Sequence, residues 1–256
     1  KGLADTWWCE KAIVFATNVT ISAGTVKGTV YGGGEVGRVE DDAKVTIGEG
    51  GNAPTITGNV FGAGAGIKTH GYSALVRGNS DVTVQGGAKV RGSVYGGGEI
   101  ASVGKFTVVG GLPKHPDSGG TCKVTIKDNA KIGTSGTGHN VFGACKGVTP
   151  AFDSSNDFKN NKSMQIEANR PKNADGTVKA EDVYWDYVET YDEGYEGTKF
   201  VWVYYRTEAD YLAFLKTLAL TSHPNVTIGG SASVYGSVYG GGERGVTLGH
   251  VNVDIT

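Results

Sequence analysis

The sequence predicts an all-β chain: a parallel β-helix, or β-solenoid, carrying a small α+β insertion. Three observations carry that prediction. Glycine supplies 43 of 256 residues, against a usual share of about 7%. One composite unit recurs five times at a spacing of roughly 30 to 35 residues, the period range of solenoids. Within it, short β-branched runs of period two alternate with Gly, Asn, Asp and Ser, and no helix-forming stretch intervenes.

Each unit opens on a Val-Thr-Ile/Val triplet: Val19-Thr20-Ile21, Val45-Thr46-Ile47, Val82-Thr83-Val84, Val124-Thr125-Ile126 and Val226-Thr227-Ile228. Alternation sends the flanking aliphatics to one face and the threonine to the other, so stacked coils should show an outward threonine column. A second short strand follows, centred on Val26, Ile56, Val90, Ile132 and Val234. A Val-aromatic-Gly closes the unit: Val30-Tyr31-Gly32, Val60-Phe61-Gly62, Val94-Tyr95-Gly96, Val141-Phe142-Gly143 and Val238-Tyr239-Gly240. A sixth copy is expected to begin at Val251-Asn252-Val253. A β-propeller would need longer hairpins closed by two-residue Asn-Gly or Asp-Gly turns, which the repeat lacks.

The most conspicuous word of the unit is Gly-Gly-Gly-Glu, at Gly32, Gly33, Gly34 and Glu35, at Gly96, Gly97, Gly98 and Glu99, and at Gly240, Gly241, Gly242 and Glu243. A phosphate loop would lead into a helix N-terminus, and none follows. A calcium β-roll would repeat Asp every nine residues. The word therefore reads as a structural corner, its glycines turning the chain at positive φ and admitting close neighbours. Intervening copies read "VFGAGA" and "VFGACK", so the residue after the glycines runs Glu35, Ala65, Glu99, Lys146, Glu243. No two carboxylates then stack directly, which relieves like-charge repulsion.

Residues 150–222 differ in kind and divide the repeats into 1–149 and 223–256. They hold 3 of the 43 glycines but 13 of the 24 aromatics. "VYWDYVETY" and "KFVWVYY" read as a β-hairpin, and Thr207 to Leu220 reads as a helix with Thr207 as N-cap. Exposed aromatics of this hairpin are the candidate contact for a glycan or protein partner: Tyr184, Trp185, Tyr187, Tyr191 and Tyr195. One face is expected to carry Tyr184, Asp186, Tyr191 and Tyr195.

Composition narrows the rest. A formal net charge of −2 offers no basic field for nucleic acid. No apolar run reaches the roughly 20 residues that span a bilayer. Cys122 and Cys145 are compatible with one bridge or with two buried thiols, and the three cysteines make no zinc pattern. Asp41, Asp42, Arg38, Arg77, Arg91 and Lys105 fall singly in different coils. Neither they nor the five histidines show catalytic or metal-ligand spacing, so no catalytic, metal or cofactor residue is expected. The chain reads as a segment of a longer protein.

Alternating "VYGGGE" and "VFGA" blocks, with the segment "ALVRGNSDVTVQGGAKVRGSVYGGGEIASVG", resemble the very large repeat-bearing secreted or surface proteins of Bacteroidetes-type bacteria described as adhesin-like. The resemblance covers the repeats, not the insertion. It implies extracellular or cell-surface display, no catalysis, and a structural or adhesive role. Neighbouring repeats, copies of the chain, or a host or bacterial surface glycan or protein are the expected partners. The competing reading is a carbohydrate-binding or lyase-like β-helix module.

Overall fold

The computed structural model describes residues 12–49, 53–67, 73–109, 112–114, 118–148, 173–177, 184–191, 198–205 and 218–256. The strands at 107–109, 112–114, 184–191 and 198–205 are described by their backbone.

The first coil enters through β1 (Ile13–Val14) and runs along β2 (Thr17–Ile21), β3 (Thr25–Val26), β4 (Val30–Tyr31) and β5 (Arg38–Val39). The second holds β6 (Ala43–Ile47), β7 (Thr55–Ile56) and β8 (Val60–Phe61), and the third β9 (Ser80–Val84), β10 (Lys89–Val90) and β11 (Val94–Tyr95). A hairpin of β12 (Thr107–Val109) and β13 (Leu112–Lys114) precedes the fourth coil, which holds β14 (Thr121–Ile126), β15 (Lys131–Ile132) and β16 (Val141–Phe142). The second hairpin, β17 (Tyr184–Tyr191) and β18 (Thr198–Tyr205), comes before β19 (Leu220–Thr221) closes that coil. The fifth coil is β20 (His223–Ile228), β21 (Ser233–Val234), β22 (Val238–Tyr239) and β23 (Val246–Thr247), and β24 (Asn252–Ile255) opens a sixth.

Strands of successive coils are neighbours, and every pairing between coils is parallel. One wall orders β2-β6-β9-β14-β20-β24, a second β3-β7-β10-β15-β21 and a third β4-β8-β11-β16-β22. A fourth wall joins β1 to β5 and continues through single bridges from Val39 to Val76 and from Val76 to Val103. Val103 then donates its N–H to Leu220 O at 2.9 Å, and β19 pairs with β23. This architecture is a parallel β-helix, as the period-two triplets and glycine corners predict.

The first wall stacks the triplets in register, so Thr20, Thr46, Thr83, Thr125 and Thr227 form the expected column on the outer face. The sixth copy is shifted from expectation: Val253-Asp254-Ile255 pairs with Val226-Thr227-Ile228, two residues beyond the Val251 start. Hydrogen-bonding register decides this, because Asn252 continues the row of Asn225.

Three apolar columns fill the coil. Val45, Val82 and Val124 pack with Ile56, Val90, Ile132, Val60, Val94 and Val141 in the main core. In each third-wall strand the valine enters that core and the aromatic faces the other side, where Phe61, Tyr95 and Phe142 form a separate cluster with Tyr31. Between corner and fourth wall, Val39, Val76 and Val103 enclose Ala43, Ala63, Cys122, Cys145 and Ala219.

The expected helix lies largely outside the described residues. Its last residues do not extend it: Leu218 and Ala219 form a turn, Leu220 opens β19, and all three are buried in the solenoid. The fourth coil needs a strand here to bridge Val103 to Val246, and that pairing overrides local helix preference. Among the described residues, no helix is long and apolar enough to cross a membrane.

Candidate functional site

The corner after the third wall gathers most of the repeat's polar chemistry, and it is built on close approach. A Cβ placed on Gly32, Gly62, Gly96 or Gly143 would lie 2.1–2.2 Å from the carbonyl oxygen of the equivalent glycine one coil on. Real Cβ atoms do not approach oxygen so closely, so the column must be glycine. None of the nine glycines in the three Gly-Gly-Gly words has a positive φ; those lie elsewhere, for instance at Gly48 and Gly86. The corner glycines thus serve coil-to-coil contact rather than left-handed turning, which corrects half of the expectation. The second glycine shows why alternate coils differ. A Cβ on Gly97 would lie 2.3 Å from Cys145 Sγ in the next coil, whereas the even coils carry buried Ala63 and Ala144 at this position.

Above the glycines runs a row of stacked rings, Tyr31–Phe61–Tyr95–Phe142–Tyr239. Centroids are 5.1, 4.6, 4.8 and 4.9 Å apart, with interplanar angles of 6° to 14°. The spacing is that of parallel strands, about 4.8 Å. Tyrosine stands in odd coils and phenylalanine in even ones.

The glutamates complete the alternation. Tyr31 Oη donates to Glu99 Oε2, and Tyr95 Oη donates to Glu243 Oε2 at 2.6 Å. Each carboxylate therefore reaches back two coils, past a phenylalanine that has no hydroxyl to bond. Lys146, in the coil between, donates to Glu99 Oε1 at 2.6 Å. The expected charge alternation is present, but it works as part of a hydrogen-bonded chain from Tyr31 through Glu99 to Lys146, not merely as spacing. A second alternation accompanies it. Asn59 Oδ1 accepts Ser93 N–H at 2.9 Å and Asn140 Oδ1 accepts Ser237 N–H at 2.8 Å, each across one coil. The repeating unit is thus two coils long: Ser/Thr-Val-Tyr-Gly-Gly-Gly-Glu followed by Asn-Val-Phe-Gly-Ala.

Burial, then the glutamate hydrogen bond and charge, pushes the Tyr31 and Tyr95 phenols well above the usual tyrosine range. The fold therefore favours the neutral phenol. Its contribution is complete below the unfolded value, about 10, and is lost as pH rises above that through the folded values. Urea midpoints should fall steeply with alkalinity above about pH 10, with the phenolate absorbance of these two residues appearing only on unfolding. Their ionisation in the folded chain near the ordinary value would contradict the assignment.

The remaining sequence candidates distribute as follows. Arg38 Nε lies 2.5 Å from Glu40 Oε1 and Arg77 Nη1 lies 3.0 Å from Glu40 Oε2, so two arginines expected to stand apart share one carboxylate across neighbouring coils. Burial pushes Glu40 up, but the hydrogen bonds and charges of Arg77 and Arg38 outweigh it and hold the carboxyl below its ordinary value. Asp42 accepts the N–H of Asn79 at 2.7 Å, a coil-to-coil clip. His223 and His250 face each other at 6.5 Å. Among the described residues, no group of three or more His, Cys, Asp or Glu is placed to hold a metal ion.

Of the two readings open for the cysteines, Cys122 and Cys145 are buried free thiols. Burial pushes Cys122 up to about 12 and Cys145 well above its ordinary value, while Cys145 Sγ donates to Ala101 O at 3.2 Å. Both should label with an aromatic disulfide reagent at least about 100-fold more slowly in the folded chain than in denaturant, because the thiolate is the reacting form. Fast labelling of either, mapped by peptide, would show that this column opens locally.

In the insertion, β17 and β18 pair antiparallel from Tyr184↔Tyr205 to Tyr191↔Thr198. Alternation puts Trp185, Tyr187 and Tyr191 on one face with Phe200, Trp202 and Tyr204, and Tyr184 and Asp186 on the other. The face expected to unite Tyr184, Asp186 and Tyr191 is therefore divided, and Tyr195 lies outside the described residues.

Fold and corner together define a parallel β-helix with a two-coil tyrosine–glutamate repeat. No family model matches the chain, and neither a curated protein nor a solved structure does.

Proposed function

We propose that the chain is a structural and adhesive repeat module of a large bacterial surface or secreted protein, displayed outside the cell and without catalysis. One observation carries this reading. Four polar groups of the repeated corner are engaged by other coils: Glu99 by Tyr31 and Lys146, Glu243 by Tyr95, and Asn59 and Asn140 by the next backbone, while Glu35 in the first coil is exposed. Groups held in that way stiffen a rod and leave little to meet a substrate. The resemblance of the repeats to adhesin-like surface proteins supports the same reading. The insertion is then the contact surface, through the aromatic-rich face of Trp185, Tyr187 and Tyr191, and its partner is a surface glycan or protein.

A glycan and surface-protein array tests the adhesive part. Replacing Trp185, Tyr187 and Tyr191 together by alanine should abolish binding, while Tyr184→Ala should leave most of it. Binding unchanged in the triple variant would sink the insertion as the contact. Incubation with uronic-acid polymers and calcium tests the absence of catalysis. Unsaturated product above the blank would overturn it.

A further inference from the structure

We propose that the outer face of the second wall binds an acidic polysaccharide of the uronic-acid class. The polymer lies across the coils with its carboxylates against Lys27, Lys89, Arg91 and Lys131. This surface belongs to the solenoid itself and is separate from the aromatic face of the insertion, so either contact can fail without the other.

Period two builds the face. The second residue of each strand, Val26, Ile56, Val90, Ile132 and Val234, packs in or against the main core, so the first residue points outward. Pairing aligns those outward residues as Thr25, Thr55, Lys89, Lys131 and Ser233. The ladder runs one residue past the strands. Thr57 N–H donates to Val26 O at 2.9 Å and Arg91 N–H to Ile56 O at 2.8 Å, so Lys27, Thr57 and Arg91 form a second column. All four cations are exposed.

Their charge is not offset within the wall. Lys89 and Lys131 are direct partners in neighbouring coils, about 4.8 Å apart along the stack, and like charges in that relation repel. No Asp or Glu stands on β3, β7, β10, β15 or β21. Among the described residues, no ion pair engages any of the four. The first wall is arranged otherwise. Lys44, Asp81 and Lys123 alternate in sign there, and Lys123 Nζ lies 3.7 Å from Asp81. The chain's formal net charge is −2, so the cations of the second wall are a segregated set rather than part of a general excess.

The pattern selects the partner. A row of unneutralised cations complements an anion, and the Arg91 fork matches a carboxylate. Thr25, Thr55 and Thr57 place hydroxyls among the charges, suited to sugar hydroxyls. Duplex DNA carries one charge per about 1.7 Å, a density that four cations on a net-negative chain do not match. One carboxylate per sugar is a density that they do. The turn at 134–138 borders the face beyond Gly133, and the exposed Glu49 and Asp128 mark its edge toward the first wall. Asp128 Oδ2 already accepts Gly86 N–H at 3.0 Å.

The test is affinity electrophoresis of the full chain in polygalacturonate with calcium chelated. The chain is expected to be retarded. Changing Lys89, Arg91 and Lys131 together to Gln should weaken binding at least about tenfold, three exposed charge contacts at up to about 1 kcal/mol each. Arg91→Lys should keep most of it. Changing Lys44, Lys105 and Lys123 to Gln removes the same charge from other faces and should change little. Urea midpoints of both triple variants should stay at or above the parent's, which reports that they fold. No retardation of the parent overturns the proposal, as do equal losses in the two triple variants. Duplex DNA competing as well as polygalacturonate would assign the face to nucleic acid instead. Binding that survives the second-wall change but is lost on replacing Trp185, Tyr187 and Tyr191 by alanine would place the glycan on the insertion alone and overturn this site.

Discussion

Phe61→Ala is expected to lower stability by about 3–5 kcal/mol, the range for truncating a buried aromatic. Phe61 is fully buried and stacked on both sides, against Tyr31 at 5.1 Å and Tyr95 at 4.6 Å. Truncation removes two ring pairs, each worth about 0.5–1.5 kcal/mol beyond its area. The neighbours cannot collapse into the gap. Their spacing is held by strand ladders in three walls, through Val60↔Val30, Val60↔Val94 and the equivalent pairs. Phe61→Leu should recover part of the loss. Because coils contact only their neighbours, the damage should be local, with amide exchange rising most in the first three coils and least in the fifth. A loss below about 1 kcal/mol would mean that the row is a surface ornament rather than a core.

That row shows how far the sequence could be read. The triplets, the second strands and the Val-aromatic-Gly words recur at fixed columns, so their stacking is visible as period alone. The fourth wall is not visible in that way. Val39, Val76 and Val103 are single residues in dissimilar contexts, joined by isolated bridges, and no repeated word marks them. The role of glutamate was hidden for a different reason. Nearest-coil logic compares Glu99 with Ala65 and Lys146, whereas its tyrosine partner lies two coils back at Tyr31. The signal was nonetheless present: tyrosine always accompanies glutamate in this chain's corners, and phenylalanine accompanies alanine or lysine. Asn59 and Asn140 belong to the same alternation. In the insertion, composition identified two strands but not their faces. Period-two alternation within β17 already parts Tyr184 and Asp186 from Tyr191, and the pairing of Trp185 with Tyr204 shows which residues of β18 share each face.

Gly96→Ala should be as damaging as Phe61→Ala, although it adds a single methyl. The new Cβ would lie 2.2 Å from Gly143 O and 3.0 Å from Val124 Cγ2. The first is backbone and cannot rotate away. Gly143 is itself tied by its N–H to Tyr239 O at 2.9 Å, and Gly96 N–H donates to Phe142 O at 2.9 Å. Relief therefore requires the third and fourth coils to part along the third wall, which loosens both the Tyr95–Phe142 stack and the corner bonds above it. Overpacking costs about 1–3 kcal/mol when side chains can give way, so a backbone clash between stacked coils should reach at least about 3 kcal/mol. Backbone conformation is not the cause, since Gly96 has no positive φ. Gly28→Ala makes the separation clean: a Cβ there meets nothing within 4 Å. At such a site the reduced freedom of the unfolded chain should leave stability unchanged or raised by up to about 1 kcal/mol. Urea midpoints of the two variants decide between close approach and turning as the reason for glycine. Equal losses would return the corner to a matter of backbone flexibility; a large loss confined to Gly96→Ala ties it to the packing of one coil on the next.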